Sequence, residues 1–221
     1  MHVTDAIRNR FSTRAYLDRA VEQEKIEAIL EVARFAPSGV NTQPWQVAVL
    51  TGAVKQQLGT TLAAMKERGE EHRPDYPYYP ESWFPPYKAR RVACGKALYA
   101  ALEIQRDDIE KRKTVWLRNY HFFGAPVGLI FSIDKGLGTG SYIDYGMFLQ
   151  NVMLAAQAHG LATCPQASLA EYPDVVREVL QLPSEKLIVC GMAIGYPDLE
   201  DPVNLYRTER EPVEQFTTWY D

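Results

Sequence analysis

Residues 36–46 read APSGVNTQPWQ. Upstream, from about Val21 to Phe35, the apolar residues Ile26, Ile29, Leu30 and Ala33 recur at helical spacing, and Pro37 and Gly39 then stop the helix. Downstream, WQVAVLTG is rich in β-branched and aromatic residues and closes on a glycine, the pattern of a strand and its turn. The quoted stretch is therefore a helix-to-strand loop. Ser38, Asn41 and Gln43 set hydroxyl and amide groups on it, where recognition of the edge of a polar ring is natural. A turn followed by a core Trp45 accounts for the same residues.

Toward the N-terminus, residues 8–16 read RNRFSTRAY. Thr4 can cap a short first helix carrying Val3 and Ile7, so the basic cluster is expected at a helix end. In an extended segment, positions 10, 12 and 14 project to one side, which lets Arg10, Ser12 and Arg14 converge on a phosphate. Three solvated surface arginines fit the spacing equally, and spacing does not separate the two readings.

Toward the C-terminus, a polar helix is expected over about 54–68. Residues 72–87, HRPDYPYYPESWFPPY, are too rich in proline for helix or central strand and predict an ordered loop or flap. ARRVACGKALYAALEIQ restores a helical pattern, and APVGLIFSI reads as a second strand. YIDYGMFLQNVMLAAQAHG is apolar nearly all round and ends on a glycine, which predicts a buried central helix. An acidic helix at YPDVVREVL and a strand at KLIVCGMAIGYP complete the regular elements. Helices outnumber and interrupt strands, which points to an α+β, three-layer arrangement around a central mixed β-sheet. No repeat or linker divides the chain, so residues 1–221 read as a single domain.

Composition narrows the function. A chain of 221 residues with 46% hydrophobic content can bury a sizeable core, and a net charge of -4 supplies no general attraction to nucleic acid or an anionic membrane. Cys94, Cys164 and Cys190 form no CxxC pair, which suits a reduced cytoplasmic protein. The N-terminus lacks the apolar region of a secretion signal. His2, His72, His121 and His159 show no metal-ligand spacing, so no metal is expected. A thiol enzyme using Cys164 with His159 or His121 as base is a further reading, although a free cysteine in an apolar context is more often a small buried hydrophobe. KGLGTGS lacks the ending of a phosphate-binding loop and reads as a connecting turn.

Taken together and in order, IRNRFSTRAY, ARFAPSGVNTQPWQVAVL, GLATCPQAS, GYPDLEDPVN and YRTEREPVEQF resemble the FMN-dependent nitroreductase family over essentially the whole chain. The specific element is the combination of RxSxR with PSxxNxQPW; each half alone is weak. The resemblance implies an intertwined α+β homodimer with two FMN sites at the subunit interface. At the matching positions Arg10, Ser12 and Arg14 would hold the phosphate, ribityl chain and part of the ring edge, with Phe11 offering its backbone. Arg210 and Arg207 would return from the tail to the same phosphate. A flavin phosphate near charge -2 suits two or three converging arginines.

By the same resemblance, Pro37, Ser38 and Gly39, with Asn41, would reach across the dimer to the flavin. Pro165, Gln166, Ala167 and Ser168 would lie beside the ring, with the Ala167 N–H facing flavin N5. Many family members carry an acidic residue and a glycine after that proline, whereas this chain has PQAS. The aromatic loop matches a variable region that walls the substrate channel, which makes Tyr76, Tyr78, Tyr79, Trp83 and Phe84 candidates for stacking on substrate. A dimer-stabilising arm is the other use of those rings. The activity implied is alternating hydride transfer from NADH or NADPH, through FMN, to a nitroaromatic compound or a quinone, with no catalytic side chain required. Dehalogenation, enone reduction, flavin fragmentation and flavin binding without turnover are the other chemistries the family admits. A loop closed over the flavin would favour binding alone, and an open one catalysis.

Overall fold

The structure is a computed structural model and describes residues 2–221. Four strands, β1 (Gln46–Leu50), β2 (Val127–Asp134), β3 (Ala162–Gln166) and β4 (Lys186–Gly195), form one sheet in the order β1-β2-β4-β3. Every neighbouring pair is antiparallel. The sheet is thus not mixed as expected; the parallel pairing among the described residues is the single bridge between Ser12 and Thr163. Helical segments separate β1 from β2 and β3 from β4, yet both pairs run antiparallel. A parallel pair needs a crossover connection, but an intervening helix does not by itself impose a parallel pair. Here a 3₁₀ turn at Ala167–Ala170 lies between β3 and the helix that follows, and β4 returns against β3.

Helices cover both faces of the sheet. Strand β2 is buried over nearly its whole length, which explains its continuous apolar run VGLIF. On one face Val127, Leu129, Phe131 and Ile133 pack with Met192 and Ile194 against α2 (Gln23–Ala33) and α6 (Ser141–Ala158). On the other, Ile130, Ile188 and Ala193 meet Leu58 and Leu62 of α3 (Gly52–Glu67) and Val176 of α7 (Pro173–Leu180). This is the three-layer α+β arrangement expected from the sequence.

Helix α6 departs from its expected burial. Tyr145, Phe148, Val152 and Ala156 are buried at helical spacing, but the remaining positions are not, and Ile143 is exposed. Its residues are apolar all round, yet the sheet covers only one side. The first helix, α1 (Val3–Asn9), starts two residues earlier than the Thr4 cap predicts: His2 holds the cap position, and its Nδ1 bonds Thr4 Oγ1 at 2.8 Å.

Two further helices, α4 (Tyr87–Ala101) and α5 (Ile109–Leu117), contain no buried residue. The proline-rich loop before them has no regular structure but is tied down at its start. Asp75 and Arg177, each about 10% exposed, form a two-pronged ion pair at 2.7 and 3.1 Å, and Asp75 also accepts the Ile188 N–H at 2.8 Å. Next to it the Tyr76 hydroxyl donates to the Val189 carbonyl at 2.6 Å. The loop therefore leaves the sheet from a fixed point.

Candidate functional site

After α1 the chain is extended and stapled between the sheet and the C-terminal tail. Thr13 N–H donates to the Thr163 carbonyl at 3.1 Å on β3, and Arg14 N–H to Asn204 Oδ1 at 2.8 Å. Asn204 Nδ2 donates in turn to the carbonyls of Ala15 and Asp198, and Arg118 donates to the Arg14 carbonyl at 2.9 Å. Thr13 and Ala15 are buried while Arg10, Ser12 and Arg14 are half-buried, the alternation expected of an extended segment.

The arginines gather without acids. Arg14 donates to the Ser12 carbonyl and the Tyr206 hydroxyl, both at 3.1 Å, and lies over the Phe123 ring. Arg10 rests against Met153 of α6; burial lowers its pKa, and the like charge of Arg210 pushes the same way. Arg207 lies 3.7 Å over the ring of Phe11 and donates to the Asn204 carbonyl, while Arg210 donates to its own neighbours Thr208 and Glu209. None of the four has a carboxylate partner, whereas most ion pairs among the described residues lie elsewhere on the surface. Cations crowded in this way, with one already disfavoured in its charged form, favour an anion between them.

Beside them ends β3. Pro165 is exposed, and Gln166 is buried with its Nε2 donating to the Asn119 carbonyl at 2.6 Å. Ala167 opens the 3₁₀ turn that carries Ser168. The turn sits close on the sheet because Gly191 faces Leu169, where any Cβ would collide with the leucine side chain. Three buried side-chain oxygens here have no partner: Thr13 Oγ1, Gln166 Oε1 and Ser168 Oγ. Buried polar atoms are rarely left so.

A cavity of about 1300 Å³ opens from this point, lined by Arg14 and Cys164–Ser168 on one side and by Tyr76, Tyr78, Tyr79 and residues of α4 and α5 on the other. Trp83 and Phe84 do not line it. Trp83 packs against Tyr79 at 5.6 Å, and Phe84 edges onto Tyr87 at 5.2 Å, so both support the loop from behind. Tyr76 does line the cavity, although its hydroxyl is committed to β4.

Pro37, Ser38, Gly39 and Asn41 lie outside the cavity within this chain. Their loop is held by Gly39 N–H donating to Asp144 and Gln43 N–H to Ser38 Oγ. Val40, Asn41 and Gln43 all have positive φ, and Val40 is 97% exposed. A β-branched residue in that region is strained, at about 1–3 kcal/mol. The thiol reading fares poorly: Cys164 is buried, burial raises its pKa, and neither His121 nor His159 bonds to it.

Residues 7–196 match the sequence model of the Nitroreductase family. The chain belongs to the nitroreductase family. It is 42% identical over 219 residues to the chloronitrobenzene nitroreductase of Comamonas testosteroni, covering 98% of this chain and 96% of that one. It is 39% identical to the 4-nitrobenzoate reductase of Pseudomonas putida, covering 96% and 92%. Among solved structures it superposes on the FMN- and NADPH-dependent nitroreductase NfnB from sphigopyxis sp. strain HMH with a TM-score of 0.97, 39% identity and full coverage of both chains. The matched residues include all four strands of the sheet. Sequence reading missed three parts of this nitroreductase's site: Asn204, the Asp75–Arg177 anchor and the cations Arg91, Lys96 and Arg112 that α4 and α5 bring to the cavity. Asp201 and Pro202 mark a turn before Asn204, with Asp201 accepting the Val203 N–H. Nothing local shows that its amide reaches a backbone 190 residues away.

Proposed function

We propose that the protein is a homodimeric, FMN-dependent oxidoreductase that takes electrons from NADH or NADPH and reduces nitroaromatic compounds, with quinones as further acceptors. The observation that carries this reading is the set of arginines without acids, Arg10, Arg14 and Arg210, next to a cavity whose wall holds unpartnered buried oxygens. FMN fits that set: one doubly charged phosphate, a polyhydroxyl chain and a flat ring with polar edges. When bound, it supplies the two-electron chemistry that no side chain of this protein provides.

The chain's own residues bind and orient. Arg10, Arg14 and Arg210, with Arg207 behind Phe11, hold the phosphate, and Ser12 contacts the ribityl chain. Pro165, Gln166, Ala167 and Ser168 border the ring, where Ala167 begins a helical turn and its N–H needs an acceptor outside that turn. Pro37, Ser38, Gly39 and Asn41 complete the partner's site rather than their own. The strained, exposed loop and the uncovered apolar side of α6 support this assembly, as do the exposed Phe216, Trp219 and Tyr220 of the tail. The aromatic loop walls the cavity and leaves it open, which favours turnover over flavin storage. Tyr78 and Tyr79, half-exposed at that wall, stack on the acceptor.

Residues 1–221 act as one flavin-binding unit, placed in the cytoplasm with no nucleic acid or membrane partner. Among the described residues no helix is long and apolar enough to cross a membrane. The test is an anaerobic visible spectrum of the purified protein. Flavin absorbance that bleaches with NADH or NADPH and returns with a nitroaromatic compound is expected. A colourless protein that takes up no FMN, or a yellow one that never bleaches, overturns the reading.

A further inference from the structure

The cavity has a second charged region that a flavin phosphate does not account for. Arg91 and Lys96 of α4, Arg106 before α5 and Arg112 within it all line the cavity, and none has a carboxylate partner among the described residues. Three neighbours on the same two helices do: Arg90 pairs with Glu211 at 2.8 Å, Lys111 with Asp108 at 3.6 Å and Lys113 with Glu67 at 3.5 Å, whereas Lys88 is unpaired among the described residues and lies off the cavity. Asp107, Asp108 and Glu110 do not line the cavity. Glu171 does, but it is already engaged by Lys66 at 3.1 Å and by the Tyr120 hydroxyl at 2.6 Å. The paired cations Arg90, Lys111 and Lys113 stand off the cavity, while Arg91, Lys96, Arg106 and Arg112 line it unpaired, in a protein whose net charge is -4. Two of the guanidinium groups are held in place. Arg112 stacks 4.7 Å over Tyr99 and donates to the Arg106 carbonyl at 3.0 Å, and Arg91 lies 5.3 Å over Trp83.

We infer that this wall binds the phosphate groups of the nicotinamide donor and selects NADPH over NADH. The inference rests on the cavity being the flavin site. Arg91 and Lys96 are about 7.5 Å apart along the helix axis at the α-helical rise, and Arg106 and Arg112 extend the charge to a second segment. A single carboxylate on an aromatic acceptor engages one guanidinium; a charge spread over this length matches an extended polyanion. The diphosphate and the ribose phosphate of NADPH together carry about -4, opposite four cations. Arginine forks also suit phosphate better than a point charge does. The cavity exceeds the roughly 300–1,000 Å³ of a site for one small ligand, which leaves room for a second molecule beyond the flavin ring.

The test uses flavin-loaded protein and the oxidised nucleotides, so that binding is read without turnover. In calorimetric titrations NADP⁺ is expected to bind about tenfold more tightly than NAD⁺ at low salt, with the advantage shrinking as salt screens the wall. Arg106→Gln with Arg112→Gln should weaken NADP⁺ about tenfold, as expected for lost charged hydrogen bonds, with flavin content and the KM for neutral nitrobenzene unchanged. Arg90→Gln, which removes a paired cation from the same helix, should behave as the unmodified protein. Unmodified protein that binds both nucleotides alike, with no effect of salt, overturns the inference without recourse to any variant. Variants whose one defect is a raised KM for 4-nitrobenzoate also overturn it and assign the wall to the acceptor's carboxylate. Normal bleaching by NADPH with unchanged NADP⁺ affinity in the variants refutes this inference alone; failure to retain flavin or to bleach refutes the functional reading with it.

Discussion

Helices α3 and α4 differ by a single residue in length, 16 against 15, and serve opposite purposes. Leu58, Gly59, Leu62 and Ala63 of α3 are buried against the sheet, while α4 buries nothing and shows Val92 and Tyr87 to solvent. Charge divides them less completely, since Arg90 of α4 is paired with Glu211. Lys66 at the end of α3 is paired with Glu171, but Arg91 and Lys96 of α4 are unpaired and face a cavity. A helix that packs on the core is optimised for burial; one that leaves its apolar and cationic groups unpartnered is built for contacts that come from outside its own chain.

The comparison can be broken or sharpened by experiment. The largest effect is expected where charge awaits a ligand: Arg10→Ala with Arg14→Ala should cost about 3 kcal/mol or more of FMN affinity, at about 1.5–3 kcal/mol per charged hydrogen bond. A double variant purified with full flavin would remove the phosphate role. Arg177→Met leaves Asp75 buried without its partner and should destabilise the fold by about 3–5 kcal/mol, read by denaturant unfolding. Leu62→Ala on α3 should cost about 2–5 kcal/mol. Val92→Ala on α4 should stay within about 0.5 kcal/mol, and equal losses at the two sites would erase the contrast between the helices.

The cysteines make a finer probe. Cys94 on α4 is exposed, and Cys164 and Cys190 are buried in the strands. A disulfide reagent near neutral pH should therefore titrate one thiol of the native chain rapidly and all three after denaturation. Burial raises the Cys190 pKa from 9.0 to about 12. Between those values only the unfolded chain loses that proton, so stability should fall as pH rises through this window. Cys164→Ser is expected to leave most activity intact, and complete loss with flavin retained would restore a role for the thiol.

Local order was legible in the sequence to within a few residues. The helix before Pro37, the strand from Gln46, the irregular loop at 72–87 and the extended RNRFSTRAY segment all follow from patterns that short-range sterics and burial impose. Misreadings arose where distant parts of the chain decide. Strand direction depended on which strands meet across the sheet, burial of α6 on how much of it the sheet reaches, and the placing of Trp83 and Phe84 on the direction in which an anchored loop leaves β4.

By itself the sequence determined the elements, the apolar faces and the identity of the groups that can meet a phosphate, because each depends on residue type at a short spacing. Tertiary structure alone decided which cations lack an acid, which tyrosines face the cavity and that Asn204 locks the arginine segment. Charge pairing and burial are properties of neighbours in space. For Arg14 and Asn204 those neighbours stand 190 positions apart in the chain.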